Sequence, residues 1–263
     1  MDIKDKVIVV TGAASGIGAA LCRRFHQEGA AHIVAADINE EGVSRVAAEV
    51  KGLARRIDVR SEADVAELVR ETGSIYGRLD LYCSNAGIFV LDPGGAASAS
   101  NADWQRTWEI NVMAHVYAAR AAVPVMVKQG GGHFLITASA AGLLSQIGSA
   151  PYSVTKHAAV AFAESLAITH GDEGIGVSVM CPQAVRTGMT DSLGGPGVAG
   201  LDGMLEPDIL TDSVISGLAE GSFLILPHPE VATYLSRKVD NYDRWLHGMR
   251  RLRKKYTDPN PTE

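Results

Sequence analysis

The chain has 263 residues, 46% of them hydrophobic and 21% charged, which excludes an intrinsically disordered polymer. Asp and Glu number 30 against 24 Lys and Arg, and the resulting charge of −6 argues against a nucleic-acid-binding surface. Three cysteines (Cys22, Cys83, Cys181) without CxxC spacing leave no disulfide framework and no structural zinc site.

In chain order, short β-branched runs alternate with amphipathic segments. Strands are expected over Val7–Val10, His32–Ala36, Leu53–Ile57, Leu79–Cys83, His133–Ala138, Val177–Cys181 and Phe223–Leu226. Between them, Ile17/Leu21/Phe25, Val65/Leu68/Val69 and Val214/Ile215/Leu218 recur at the spacing of one buried helix face. Most of the strands are apolar throughout, as in a parallel sheet covered on both sides. The pattern predicts an α/β fold, a Rossmann-like doubly wound parallel sheet of about seven strands with helices on both faces. One dinucleotide-binding and catalytic domain is expected over residues 1–232. The Gly-, Met- and Leu-rich stretch 187–206 is expected to form a substrate lid within it. Beyond it, residues 233–263 read as a basic extension with eight Lys and Arg against four acids. There Leu235, Val239, Tyr242, Leu246 and Met249 predict one amphipathic helix from Tyr234 to Tyr256, packed on protein rather than on a membrane. No run approaches the roughly 18 apolar residues of a membrane span. The opening residues carry no apolar run, so a reduced, cytoplasmic location is expected.

The first strand runs into Thr11-Gly12-Ala13-Ala14-Ser15-Gly16-Ile17-Gly18, and a helix follows at once. Gly12, Gly16 and Gly18 let the backbone turn tightly and approach a pyrophosphate. Ser15, Gly16 and Ile17, at the helix start, offer N–H groups and the positive dipole end to it. Asp37 closes the second strand, where a carboxylate accepts both ribose hydroxyls and repels a 2′-phosphate. No Lys or Arg lies in the glycine turn or at Ile38-Asn39 to offset that repulsion, so NAD is expected over NADP.

With these motifs in place, the chain resembles the short-chain dehydrogenase/reductase family from residue 5 to about 187. The glycine turn matches the family's TGxxxGxG. Asp58-Val59 matches its adenine-side pair, and Asn85-Ala86-Gly87 matches the end of its fourth strand, with Ser84 where a second Asn is common. Asn111 matches its helical Asn, Ser139 its catalytic Ser, and Tyr152-Ser153-Val154-Thr155-Lys156 its Tyr-x-x-x-Lys. The Pro-Gly after the sixth strand is half present, because Gln183 follows Pro182. The resemblance implies NAD-linked hydride transfer, with Asn111, Ser139, Tyr152 and Lys156 as catalytic residues. It adds Asn85, Ala86, Gly87, Pro182, Val185 and Thr187 to the cofactor contacts. It also implies that Lys156 holds the nicotinamide ribose and that Asn111 supports a water through which a proton leaves.

Pro151 fits the opening of a helix in which Tyr152 and Lys156 stand one turn apart. A phenol titrates near 10, so useful phenolate at neutral pH requires a lowering of about 2–3, or roughly 3–4 kcal/mol. An ammonium about 4 Å away supplies on the order of 4 kcal/mol at an effective dielectric near 20. Tyr152 is thus expected to be the general base or acid, and Ser139 to donate to the developing alkoxide. No metal-ligand spacing occurs among the eight histidines, and the GxSxG hydrolase turn is absent.

Expected pocket walls are Ile88–Leu91, Ala140–Leu144, Gln146, Gln183–Val185 and the lid, with Leu143, Leu144, Met189, Leu193 and Met204 prominent. They predict a hydrophobic secondary alcohol or ketone as substrate and poor use of acidic or phosphorylated ones. A homodimer or homotetramer is implied by the resemblance. The competing readings are an NADP-dependent carbonyl reductase and a non-catalytic NAD(H)-sensing protein of the same fold.

Overall fold

A computed structural model describes residues 1–192, 194, 195 and 197–257. The expected wall residue Leu193, Pro196, and the tail acids Asp258 and Glu263 lie outside the described residues.

The chain runs β1 (Val7–Thr11), α1 (Gly16–Gln27), β2 (His32–Asp37), α2 (Glu40–Glu49), β3 (Leu53–Arg56), α3 (Glu62–Tyr76) and β4 (Leu81–Ser84). It continues with α4 (Asn101–Trp108), a π-helical turn at Glu109–Met113, α5 (Ala114–Lys128), β5 (Gly132–Thr137) and α6 (Ala150–His170). Then follow β6 (Ile175–Met180), α7 (Gly188–Ser192), α8 (Pro207–Glu220), β7 (Leu224–Ile225), α9 (Glu230–Asp240) and α10 (Tyr242–Thr257). The seven strands pair in parallel in the order β3-β2-β1-β4-β5-β6-β7, a doubly wound Rossmann-like sheet. All seven expected strands are present, with ends displaced by one or two residues. β4 opens at Leu81 rather than Leu79, and the buried Asp80 before it accepts the Val7 N–H through Oδ2 at 2.9 Å.

Both faces of the sheet are buried, which explains the uninterrupted apolar strands. Val9, Tyr82, Phe134, Ile136 and Val179 meet α3, α5 and α6 on one side. Ile8, Val10, Leu81, Leu135 and Met180 meet α1, α2 and α8 on the other. Crossovers to both sides of a parallel sheet leave the carboxyl ends of the strands open at one edge, where loops converge. The continuous helix Asn101–Lys128 is long and apolar enough to cross a membrane, contrary to the sequence expectation. Ala118, Ala122 and Met126 bury its inner face in the core, as in a soluble core helix.

The tail forms two helices instead of one. Asn241 takes an extended conformation (φ −155°, ψ 93°) that ends α9, and its Oδ1 accepts the Arg244 N–H at 2.9 Å to start α10. An Asn at a cap competes with helix continuation through this local bond. The break turns α10, so the stripe read from the sequence is only in part its packed face. Val239, Tyr242 and Leu246 are exposed, whereas Trp245, Met249 and Leu252 turn inward.

Candidate active site

The carboxyl ends of β1, β2, β4, β5 and β6 open into one cleft of about 1560 Å³. Every predicted site residue lines it except Asn111.

At one end lies the glycine turn. Gly12 has φ +67°, and a Cβ there would come within 2.9 Å of the Ala86 Cα. A Cβ at Gly18 would overlap the carbonyl oxygen of Gly12, so the turn closes only without side chains at both positions. Ser15 precedes α1 in an extended conformation and makes no side-chain cap, and the first turn holds no acid. By contrast, Asn39, Ser61, Ser100 and Ser149 cap α2, α3, α4 and α6. The N–H groups at the start of α1 thus face the cleft with no side-chain cap, a fitting cradle for a pyrophosphate. Asp37 lies beside this cradle. Its Oδ2 accepts the Ala14 N–H at 3.0 Å and its Oδ1 the Asn39 N–H at 2.9 Å, which fixes the carboxylate while leaving each oxygen a lone pair. Asp58 is turned toward Arg60, whose guanidinium hydrogen-bonds it and holds its carboxyl below the usual carboxylate range.

Asn85 ties three strand ends together. Its Nδ2 donates to the Thr11 carbonyl at 3.0 Å, its N–H donates to Thr11 Oγ1 at 3.0 Å, and its Oδ1 accepts from Thr137 Oγ1 at 3.0 Å. Ser84, in place of an amide, meets the buried His115 Nδ1 at 2.6 Å. Burial and the neighbouring Lys156 charge press that imidazole down to about 3, so it stays neutral. Asn111, in the π-helical turn, is fully buried behind the cleft. Its Oδ1 accepts from Ile88 N–H at 2.9 Å, and its Nδ2 donates to the Ile88 carbonyl and to Thr155 Oγ1. The side chain clamps the segment after β4 onto α6 and has no donor left for a substrate.

Ser139, Tyr152 and Lys156 meet at the floor. Ser149 caps α6 by accepting the Tyr152 N–H at 3.2 Å, and Pro151 occupies the first turn as expected. Ser139 stands near enough to the Tyr152 hydroxyl to favour its ionised form, and the Phe89 ring packs against Tyr152 at 4.8 Å between centroids. The buried Lys156 donates from Nζ to the Thr137 carbonyl at 2.8 Å and lies 5.6 Å from the Tyr152 ring centroid. The expected lowering of the phenol by this lysine is not supplied by the protein's own groups. Burial dominates and pushes the Tyr152 phenol up, against the opposing effect of Ser139. Burial also brings the Lys156 ammonium down to about 8. Withdrawing both groups from water penalises both charged forms.

Gln183, where a glycine is common, does not adopt a left-handed φ, so a side chain is accommodated without backbone strain. Its N–H donates to His228 Nδ1 at 3.1 Å. Pro182 accepts the Ala140 N–H at 2.8 Å, and Thr187 packs on the glycine turn, its Cγ2 3.0 Å from where a Gly16 Cβ would stand. Among the expected walls, Ile88, Phe89, Leu91, Leu144, Gln146 and Met189 line the cleft; Leu143 and Met204 do not. Leu143 packs against the core instead.

Among the residues missed at the sequence level, one group comes from the tail. Tyr234, Arg237, Arg244, Trp245, Met249, Arg251 and Leu252 also line the cleft. Buried Lys238 fastens them there, donating from Nζ to the Leu143 carbonyl at 2.7 Å and the Leu144 carbonyl at 3.0 Å. Its ammonium also lies 5.0 Å from the Trp245 ring centroid. A buried lysine between two carbonyls and an aromatic face has its cation satisfied without a carboxylate. The only sequence signal was a Lys among aromatics at helical spacing, which does not name its partner.

The profile of the short chain dehydrogenase family matches residues 6–195. The chain is 35% identical over 194 residues to the meso-2,3-butanediol dehydrogenase of Serratia marcescens, covering 73% of this chain and 76% of that one. It is 33% identical over 255 residues to the 1-deoxy-11-beta-hydroxypentalenate dehydrogenase of Streptomyces exfoliatus, covering 94% and 91%. Among solved structures, a short chain dehydrogenase/reductase of Burkholderia phymatum in complex with NAD superposes with a TM-score of 0.84 at 26% identity, covering 100% of this chain and 98% of that one.

Proposed function

The chain belongs to the short-chain dehydrogenase family, and from that premise we propose that it is an NAD-dependent dehydrogenase of hydrophobic secondary alcohols. One observation carries the reading: Ser139, Tyr152 and Lys156 stand together in the same cleft as the start of α1, which no side chain caps. The uncapped helix start, the glycine approach and the fixed Asp37 carboxylate suit a dinucleotide with free ribose hydroxyls. Hydride acceptance and return is the chemistry that NAD(H) supplies when bound.

The chain's own residues do the rest. Tyr152 Oη exchanges the proton of the substrate hydroxyl, and Ser139 Oγ donates to the oxygen as charge grows on it. Lys156, anchored on the Thr137 carbonyl, has two N–H groups left for the nicotinamide ribose. Asn111, with its amide fully engaged, is a positioning residue that holds Ile88 and Thr155 on either side of the floor. Residues 1–232 act as one domain, 187–206 as a lid, and 233–263 as an extension whose described part, to residue 257, lines the substrate chamber. Apolar Val154 and Ile168, exposed on α6, favour a homodimer or homotetramer assembled through that helix. Three free, buried cysteines favour a reducing cytoplasm. A purified-protein screen of cyclic, aromatic and steroid alcohols with NAD+ and NADP+ tests the assignment. Turnover with none of them would defeat it.

Two further results are expected. Asp37→Ser should shift the NADP-to-NAD ratio of kcat/KM upward by roughly 100-fold, because it removes a fixed carboxylate that repels a 2′-phosphate. Steady-state rates with both cofactors measure this, and an unchanged ratio would rule out Asp37 as the discriminator. The pH profiles of the two directions should differ. Burial keeps Tyr152 protonated at neutral pH, ready to act as an acid, and Lys156 holds its charge only below about 8. Ketone reduction should therefore stay level below about pH 8 and decline above it as Lys156 deprotonates. Alcohol oxidation, which needs the phenolate, should rise toward alkaline pH. A reduction rate that climbs through that point would contradict the ordering.

A further inference from the structure

We propose that the two tail helices form an anion subsite at the far end of the substrate chamber, so that the alcohol taken by this enzyme carries a carboxylate away from its reacting carbon. The proposal rests on the dehydrogenase reading and names its substrate class. Lys238 locks α9 onto the Leu143 and Leu144 carbonyls, just beyond Ser139, and α10 lies against the Gly197–Gly200 turn. The tail therefore covers the substrate side of the cleft, while the glycine turn holds the opposite end.

Three arginines, Arg237, Arg244 and Arg251, line the cleft from this tail, against the single carboxylate of Asp240. Among the described residues, none of the three has a carboxylate within 4.0 Å, although nine other arginines of the chain form such pairs. Arg237 lies over the Tyr234 ring, with its Cζ 5.9 Å from the centroid. Arg244 and Arg251 flank Gly248 on one face of α10. A Cβ at 248 would meet only Arg251 Nη2, at 4.0 Å, so the glycine leaves a notch beside that guanidinium, one helical turn from Arg244. A planar guanidinium matches a carboxylate with two parallel hydrogen bonds, which a lysine ammonium does not. The cleft that holds the notch and Tyr152 also has apolar lining from Leu144, Met189, Trp245, Met249 and Leu252. The chamber is thus complementary to an apolar body with a hydroxyl at one end and an acid at the other. This replaces the sequence-level expectation that acidic substrates are poor, which rested on the apolar walls and the lid without the tail.

The test uses matched pairs, a cyclic or steroid secondary alcohol bearing a carboxylate and its methyl ester. Oxidation with NAD+ is followed, and binding to the NADH-loaded protein is measured by calorimetry. The acid should exceed its ester by about tenfold in kcat/KM and in affinity, as expected for two guanidinium contacts that remain partly in water. The double variant R244Q/R251Q should bring both ratios to near one, and R244K/R251K should fall between. Equal binding of acid and ester, or a preference that survives R244Q/R251Q, overturns the subsite. If the ester is oxidised as well as the acid, the subsite fails and the dehydrogenase assignment stands. If acid is bound over ester but neither is oxidised, the assignment fails and the subsite stands.

Discussion

Tyr152→Phe is expected to lower alcohol oxidation by about 10²–10⁴-fold, the range that a positioned general acid or base contributes. The substitution removes one atom and leaves the packing intact. The Phe89 ring lies 4.8 Å and the Lys156 ammonium 5.6 Å from the centroid of the ring, which phenylalanine retains. Because the lost oxygen is one that burial keeps from ionising, stability should hardly change, and the glycine turn and Asp37 lie elsewhere in the cleft. NADH affinity, read by fluorescence titration, should therefore match the parent protein while turnover collapses. A variant that oxidises its best alcohol at the parental rate would remove Tyr152 from the chemistry.

Gly18→Ala should be the most damaging single-methyl addition in the cradle. The new Cβ would overlap the Gly12 carbonyl, and Gly12 cannot retreat because Ala86 stands behind it. The obstruction is backbone against backbone, so no rotamer relieves it. A destabilisation of about 1–3 kcal/mol is expected from overpacking, together with loss of dinucleotide binding as α1 tilts away. Gly73→Ala supplies the contrast. Gly73 lies inside α3 with nothing within 4 Å of its hypothetical Cβ, so the same methyl should stabilise the protein by about 0.5–1 kcal/mol. Urea unfolding of both variants measures the two signs. Equal effects would refute the steric account of Gly18.

The cofactor half of the site was legible because its determinants are local. Gly12, Gly16 and Gly18 act through turn geometry, Asp37 closes its own strand, and Tyr152 and Lys156 are joined by one helical turn. The tail was legible only as a composition. Its amphipathic periodicity runs across Asn241 without interruption, yet the extended residue there rotates α10, so that Trp245 and Leu252 join Met249 on the covered face while Tyr242 and Leu246 stay exposed.

Ionisation states were also beyond the sequence. The spacing of Tyr152 and Lys156 suggests mutual charge stabilisation, but the desolvation felt by each depends on Thr137, Phe89 and Ser139, which arrive from other strands and loops. The sequence by itself determined the sheet, the cradle and the identity of the reacting groups, since hydrophobic period, glycine geometry and helical spacing are properties of neighbours along the chain. Tertiary structure alone decided where the basic tail lies, which of its arginines face the chamber, and how far burial shifts the tyrosine and the lysine. Those outcomes depend on dielectric surroundings and on contacts such as Lys238 with the Leu143 carbonyl, made between segments nearly a hundred residues apart.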